Sequence, residues 1–238
     1  MALILLKLFL AHILGDFFLQ PKKWVKDKEK KKLKSKWLYV HIAVHLALML
    51  LLVWDFSHWL LILLVGISHF SIDALKLILQ KKKTKRFYFF VDQVFHVIAI
   101  FLITAAMFYD DVAPSLSIST SALLLIICLA FLTQPTSIIM KTIFSKWDIS
   151  KYTEDNESLE DAGKYIGILE RLLVFIFIIV GHWEAVGFLI TAKSVFRFGD
   201  LTSTKERKLT EYILIGTLIS FGIAIVVSLI FLNLKSYV

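Results

Sequence analysis

WLLILLVGISHFSIDALKLIL, residues Trp59 to Leu79, is the stretch that decides the fold. From Trp59 to Ile67 it holds no ionisable side chain, so a helix built from it has no polar face there, and the period-two pattern of a strand is absent. The run has the length of about 20 mostly apolar residues that crosses a hydrocarbon core of about 30 Å. It can carry His69, Asp73 and Lys76 only if they face protein, water or the membrane surface, because an ionisable group at mid-membrane costs at least about 2.5 to 3.5 kcal/mol. The segment therefore predicts a transmembrane helix and a polar interior for it to face.

The same pattern recurs along the chain. Apolar runs from Ala2 to Leu19, Trp37 to Trp54, Phe87 to Tyr109, Ile118 to Met140 and Glu211 to Leu232 are long enough to span, and two shorter runs, Tyr165 to Val180 and Trp183 to Phe198, meet near Gly181-His182-Trp183. Of the 238 residues 58% are hydrophobic and 19% charged, with a mean hydropathy of +0.76, whereas soluble domains are about 45 to 50% apolar and about a quarter charged. That excess excludes a soluble monomer, and 9 Gly and 3 Pro exclude collagen-like or disordered chains. Nor do ten-residue alternating segments suggest an outer-membrane barrel. The expected fold class is all-α, a polytopic helical membrane protein of about eight helical segments. A single cysteine, Cys128, excludes an intrachain disulfide and a cysteine-based metal site.

Orientation follows from basic residues, since short loops rich in Lys and Arg stay cytoplasmic. Lys22 to Lys36 carries nine lysines, Lys81 to Arg86 four Lys and one Arg, and Lys141 to Lys164 four Lys. The turns Asp55 to His58 and Asp110 to Ser117 carry neither and are expected outside. Lys193 to Lys208 is basic again, which requires two crossings after Lys164; Tyr165 to Val180 and Trp183 to Phe198 then form a short hairpin, and both termini lie outside. A seven-span arrangement would instead leave Arg197, Lys205, Arg207 and Lys208 outside. The N-terminus lacks a basic leader region and a small-residue cleavage site, so it reads as a retained first helix. Two regions are expected: residues 1–110, a four-helix transmembrane bundle with a metal site, and residues 111–238, a C-terminal transmembrane region with the hairpin. On this reading the net charge of +8 reflects topology and not a nucleic-acid surface. Lys30, Lys31 and Lys32, with Trp24 and Trp37, anchor the chain beside anionic lipid.

Within the first four spans the ionisable residues are ordered as pairs at spacing i, i+4: His12 and Asp16, His41 and His45, His69 and Asp73, Asp92 and His96. That spacing puts both members on one helix face, about 6 Å apart along the axis. Helix direction alternates, so Asp16, His41, Asp73 and Asp92 are the shallower members and His12, His45, His69 and His96 the deeper ones. The two layers lie about 6 to 15 Å below the cytoplasmic boundary. A single pair is as readily a hydrogen bond between helices, but four at matching depth need one shared compensation, which a cation supplies. Five imidazoles and three carboxylates suit one or two divalent metal ions, zinc first, with iron or manganese as alternates. Lys7 and Lys76 are expected to snorkel to an interface, and His58 and His182 to sit at outer turns.

The C-terminal half holds a second cluster: Glu170 and Arg171 in one run, Glu184, Lys193 and Arg197 in the next, and Glu211 opening the last. Arg171, Lys193 and Arg197 fit the binding of an anionic head group, and equally an internal ion pair between Glu170 and a base.

Three stretches, LAHILGDFFLQ (Leu10 to Gln20), SHFSID (Ser68 to Asp73) with Lys76, and DQVFH (Asp92 to His96), make the chain resemble a bacterial multipass membrane family known as domain of unknown function 3307. GILER (Gly167 to Arg171), Ala192-Lys193-Ser194 with Arg197-Phe198, and EYILIGT (Glu211 to Thr217) are similar to its longer members. The resemblance implies a protein of the bacterial inner membrane and brings no activity. A looser likeness to membrane-bound metal-dependent hydrolases favours a hydrolase, and the shallow depth of the site then points to a lipid or lipid-linked substrate entering from the cytoplasmic side, with membrane lipids as partners and no nucleic acid. Asp92 is expected to act as general base beside the metal, and Gln93 to help position a head group. A metal-ion or proton transporter, and a haem or non-haem iron redox protein, are the alternatives from other classes.

Overall fold

The structure is a computed structural model and describes residues 1–108, 118–147, 162–195 and 204–235. Every regular element among them is helical: α1 (Ala2–Ile13), α2 (Lys22–Lys31), α3 (Lys36–Val53), α4 (Trp59–Leu79), α5 (Lys85–Met107), α6 (Ile118–Leu132), α7 (Gln134–Phe144), α8 (Ala162–Ile179), α9 (Trp183–Val195) and α10 (Thr204–Lys235). Among the described residues five stretches are long and apolar enough to cross a membrane: Lys36–Val53, Phe56–Leu79, Lys82–Met107, Thr120–Phe144 and Thr210–Lys235. The chain is an all-α polytopic membrane protein. Tyr109, the expected outer turn Asp110–Ser117, the acidic loop around Glu157, and Arg197 with Phe198 lie outside the described residues. The chain divides into two compact units, Met1–Ile127 and Cys128–Tyr237.

In the first unit α1 packs against α3 and α5, α3 against α4, and α4 against α5, which closes a ring of four helices. Leu8, Ala11, Met49, Val53, Leu61, Ile62, Val65 and Ile100 fill one half of its interior. The outside is apolar as well, with Leu51, Ile67, Leu75, Phe95 and Leu102 exposed. A surface of this kind is stable against lipid and not against water. The polar residues are gathered in the other half of the interior, towards the lysine-rich end. Two basic segments meet at that end: Lys85 pairs with Glu29, and Lys32 Nζ donates to the carbonyl of Ile78 at 3.1 Å.

The segment Lys22 to Lys36, read from the sequence as a loop, holds helix α2. Its residues are good helix formers, and Pro21, extended at φ −61° and ψ 146°, starts it. Asp27 and Lys31 pair at i, i+4 with 2.7 Å between them. Those contacts with Lys31, and the Ser35 hydroxyl donating at 2.6 Å, hold the Asp27 carboxyl below its ordinary range. Lys32, left-handed at φ 54°, ends the helix. α2 turns 85° away from the first helix and packs on α3, where Trp24 stacks on Trp37 with ring centroids 4.7 Å apart. A helix so rich in lysine lies across the bundle end because it cannot continue into the apolar layer.

In the second unit α8 packs against α9, α7 and α10. The expected single helix Ile118 to Met140 is broken at Thr133, since Pro135 has no N–H to donate to the carbonyl of Phe131. Thr136 Oγ1 donates to that carbonyl instead, at 2.7 Å. The expected break near Gly181 is present, with Gly181 left-handed at φ +86° and separating α8 from α9. Lys193 Nζ meets Glu170 Oε2 at 2.6 Å across the pair, as an antiparallel hairpin requires.

Single cysteines at Ser57 and Lys83, in a Cys128→Ser background, should react with a membrane-impermeant thiol reagent from opposite sides, because the whole of α4, about 30 Å, separates them. Labelling of both from one side would overturn this topology.

Candidate metal centre

The first helix does not end as a plain α-helix. Leu14 to Phe18 form a π-turn, in which the N–H of Leu19 reaches the carbonyl of Leu14 at 2.9 Å; such turns are frequent at functional sites. Gly15 lies inside it, and a Cβ there would collide with the imidazole of His45. Glycine thus lets α1 approach α3 closely enough for Asp16 to enter the bundle.

All eight residues of the four sequence pairs are turned into the bundle interior. Asp16 Oδ1 lies 3.1 Å from His41 Nε2, 3.1 Å from His45 Nε2 and 3.6 Å from His69 Nε2, and the Nε2 atoms of His41 and His69 are 3.3 Å apart. A tetrahedral zinc site with bonds of about 2.0 to 2.1 Å has ligand-to-ligand edges of about 3.3 Å. The four measured edges bracket that value. Two facing ring nitrogens make at best one donor and one acceptor, whereas a shared cation takes both lone pairs. The set mixes the expected layers, drawing Asp16 and His41 from the shallower and His45 and His69 from the deeper.

Two lysines complete the electrostatics. Lys28, which α2 brings into the bundle, sits 2.9 Å from Asp73 Oδ2, and Lys76 sits 2.7 Å from Asp92 Oδ2. Asp73 also stands 3.7 Å from His41 Nε2. Asp16 is the buried carboxylate of the three with no ammonium against it; its partners are imidazoles and Gln93, whose Nε2 donates to Asp16 Oδ2 at 2.9 Å. Gln93 also lies 3.2 Å from Asp92 Oδ2 and 3.3 Å from His12 Nε2, and Gln20 Nε2 is 3.0 Å from the ring nitrogens of His41. Asp92 is therefore engaged through Oδ2, with Oδ1 free.

Lys76, expected at an interface, is instead a member of the cluster. Its place on the face of His69 and Asp73, seven and three residues before it, was the available signal. Lys28 gave none, being one of nine lysines in its segment. Lys7 behaves as expected, donating to the carbonyl of Val53 at the far end.

The second unit uses its basic residues internally. Arg171 Nε donates to the carbonyl of Leu132 at 2.7 Å, Nη2 to the carbonyl of Thr133 at 3.3 Å and to Ser137 Oγ at 2.9 Å, and Nη1 to Ser220 Oγ at 3.2 Å. It holds two carbonyls at the break, of which that of Thr133 also accepts from the Ser137 N–H at 3.1 Å. Lys193 pairs with Glu170, the internal ion pair that the sequence allowed beside head-group binding.

Removing one partner of a buried ion pair typically costs about 3 to 5 kcal/mol. Lys28→Met should therefore destabilise detergent-solubilised protein by that order, and Lys28→Met with Asp73→Leu by much less than the two single changes summed. Simple additivity in unfolding measurements would show that Lys28 and Asp73 are not coupled.

No curated protein and no solved structure matches the chain. A family described as "Protein of unknown function (DUF3307)" matches residues 4–126, more than half of the 238 residues, and that span contains every side chain of the cluster. The chain belongs to the DUF3307 family.

Proposed function

We propose that this protein is a membrane-embedded, metal-dependent hydrolase of the bacterial inner membrane, acting on a lipid or lipid-linked substrate from the cytoplasmic side. The observation that carries the reading is Asp16 Oδ1, a buried carboxylate oxygen without an ammonium partner, ringed by three imidazole nitrogens at tetrahedral edge lengths. Zinc suits that donor set best, with iron or manganese as alternates. A divalent ion in this cluster with a position open to water would lower the pKa of that water towards about 7 and polarise a carbonyl or phosphoryl oxygen.

The chain's own residues supply the rest. Asp73 lies about 9 Å from the lysine-rich end of α4, a depth that suits bonds near lipid head groups. Lys28 and Lys76 place two ammonium groups beside the cluster, where the charge of an ester or phosphoester substrate needs compensation. Glutamine at position 93 orients Asp16 and His12 through its two ends.

The alternatives are less well supported. A transporter needs a polar path across the whole membrane, and the half of the bundle beyond the cluster is filled by Leu8, Met49, Val53, Leu61 and Val65. A haem needs a wide gap between its axial histidines, whereas His45 and His69, and His69 and His96, pack with centroids 3.9 and 4.0 Å apart.

Elemental analysis of protein purified after metal supplementation should find bound zinc in the wild type and its loss in Asp16→Asn and His45→Ala. Cells with Asp16→Asn in place of the wild type should accumulate a lipid species that purified wild-type protein hydrolyses. Well-folded wild-type protein that stays metal-free would overturn the reading. Metal uptake into cells that depends on Asp16, without any lipid change, would favour the transporter.

A further inference from the structure

We infer that the cluster holds a second divalent cation, bound by His12, Asp92 and His96, with the Asp16 carboxylate bridging it to the first. The inference rests on the metal reading above and deepens it to a dinuclear centre. Among the described residues, the buried side-chain polar atoms with no hydrogen-bond partner are His12 Nδ1, Asp92 Oδ1 and His96 Nδ1. All three belong to this one cluster, and none is among the four donors of the first set.

The hydrogen bonds around them fix what these atoms are. Gln93 Nε2 donates to Asp16 Oδ2, so its other end is a carbonyl oxygen, and His12 Nε2, 3.3 Å from that oxygen, must carry the proton it donates. His12 Nδ1 is then a bare lone pair. His96 Nε2 faces the carbonyl of His69 at 3.4 Å, and a carbonyl only accepts, so His96 Nε2 is protonated and Nδ1 is again a lone pair. Asp92 has Oδ2 occupied by Lys76 and Oδ1 open. Two imidazole lone pairs and a carboxylate oxygen, each on a residue at most 4% exposed, have no donor near them. Acceptors left so in a low-dielectric interior destabilise the fold unless a cation fills the space between them.

The spacing fits one. Donor atoms of Asp16, Asp92 and His96 lie within 4.8 Å of one another; those of His12 gather with His69 and His96, so that His12 joins the set through His96. Asp16 belongs both to the first set, through Oδ1, and to this one, which makes it the bridge. The first set already offers four protein donors, the number of a closed zinc site. In the second, His12 groups with His96 and not with Asp92, which makes it the donor that water or substrate can displace at a catalytic ion. Asp92 then serves as a ligand and not as the general base expected from the sequence.

The test is stoichiometry. Wild-type protein purified with excess zinc or manganese should hold two equivalents of metal, and X-ray absorption should show a metal–metal distance of about 3.5 to 4 Å. His96→Ala and Asp92→Asn should each retain one equivalent, with the metal–metal feature gone and the melting temperature of the remaining metal-bound protein still raised over its apo form. His12→Gln serves as a third variant should either of these fail to fold. One equivalent in the wild type, unchanged in His96→Ala, would overturn the second site and leave the first. No metal in either would overturn both readings, and so separates the two failures.

Discussion

A carboxylate placed inside a lipid-facing bundle is the constraint on which the first unit is built. Asp73 and Asp92 are met by ammonium groups of Lys28 and Lys76, but Asp16 is met only by neutral donors and by three imidazoles. An uncompensated charge there would cost several kcal/mol. The π-turn after α1, the glycine beside His45 and the closed ring of four helices all serve to hold Asp16 against those imidazoles. A cation is what we propose completes the arrangement, since the facing nitrogens of His41 and His69 cannot both be donors.

The site was legible in the sequence because helical geometry makes few demands on it. His12 with Asp16, His41 with His45, His69 with Asp73 and Asp92 with His96 share a spacing that fixes a common face, and the basic loops fix depth. These two facts are enough to bring the pairs together in any antiparallel bundle. What was not legible depends on breaks in regular helix. Nothing in the spacing of Lys22 to Lys36 says that the chain turns by 85° after Pro21 and folds back, so Lys28 looked like any other solvated lysine. Likewise Pro135 foretold a disturbance of the span, but not that Arg171, distant in sequence, would be its remedy.

The two units, each taken alone, solve one problem in different ways. In a bilayer every backbone and side-chain polar group needs a partner from the protein itself. The first unit pairs side chains of opposite charge around a shared centre. The second pairs one guanidinium with main-chain carbonyls beside a helix break, and a lysine with a glutamate across a hairpin. Arg171 is suited to the task because its planar fork offers five donors in fixed directions, so that two carbonyls and two hydroxyls can be met at once, which a lysine could not do. Its contacts at the helix break follow from that geometry.

Depth ties the cluster to its surroundings. Lys28 reaches Asp73 from a helix that is itself too polar to enter the membrane, so Asp73 can lie no deeper than a lysine stem extends from the bundle end. The apolar residues Leu8, Met49, Val65 and Ile100 begin one helical turn beyond His12, His45, His69 and His96. The lysine-rich segment that sets orientation in the membrane therefore also supplies a charge to the interior. A substitution that neutralised it to improve burial of α2 would leave Asp73 without its ammonium, and a shift of Asp73 would be felt at once by His41, which faces it and Asp16 through the same nitrogen. The polar centre and the polar end of the bundle are for this reason one electrostatic unit, joined through a single buried lysine.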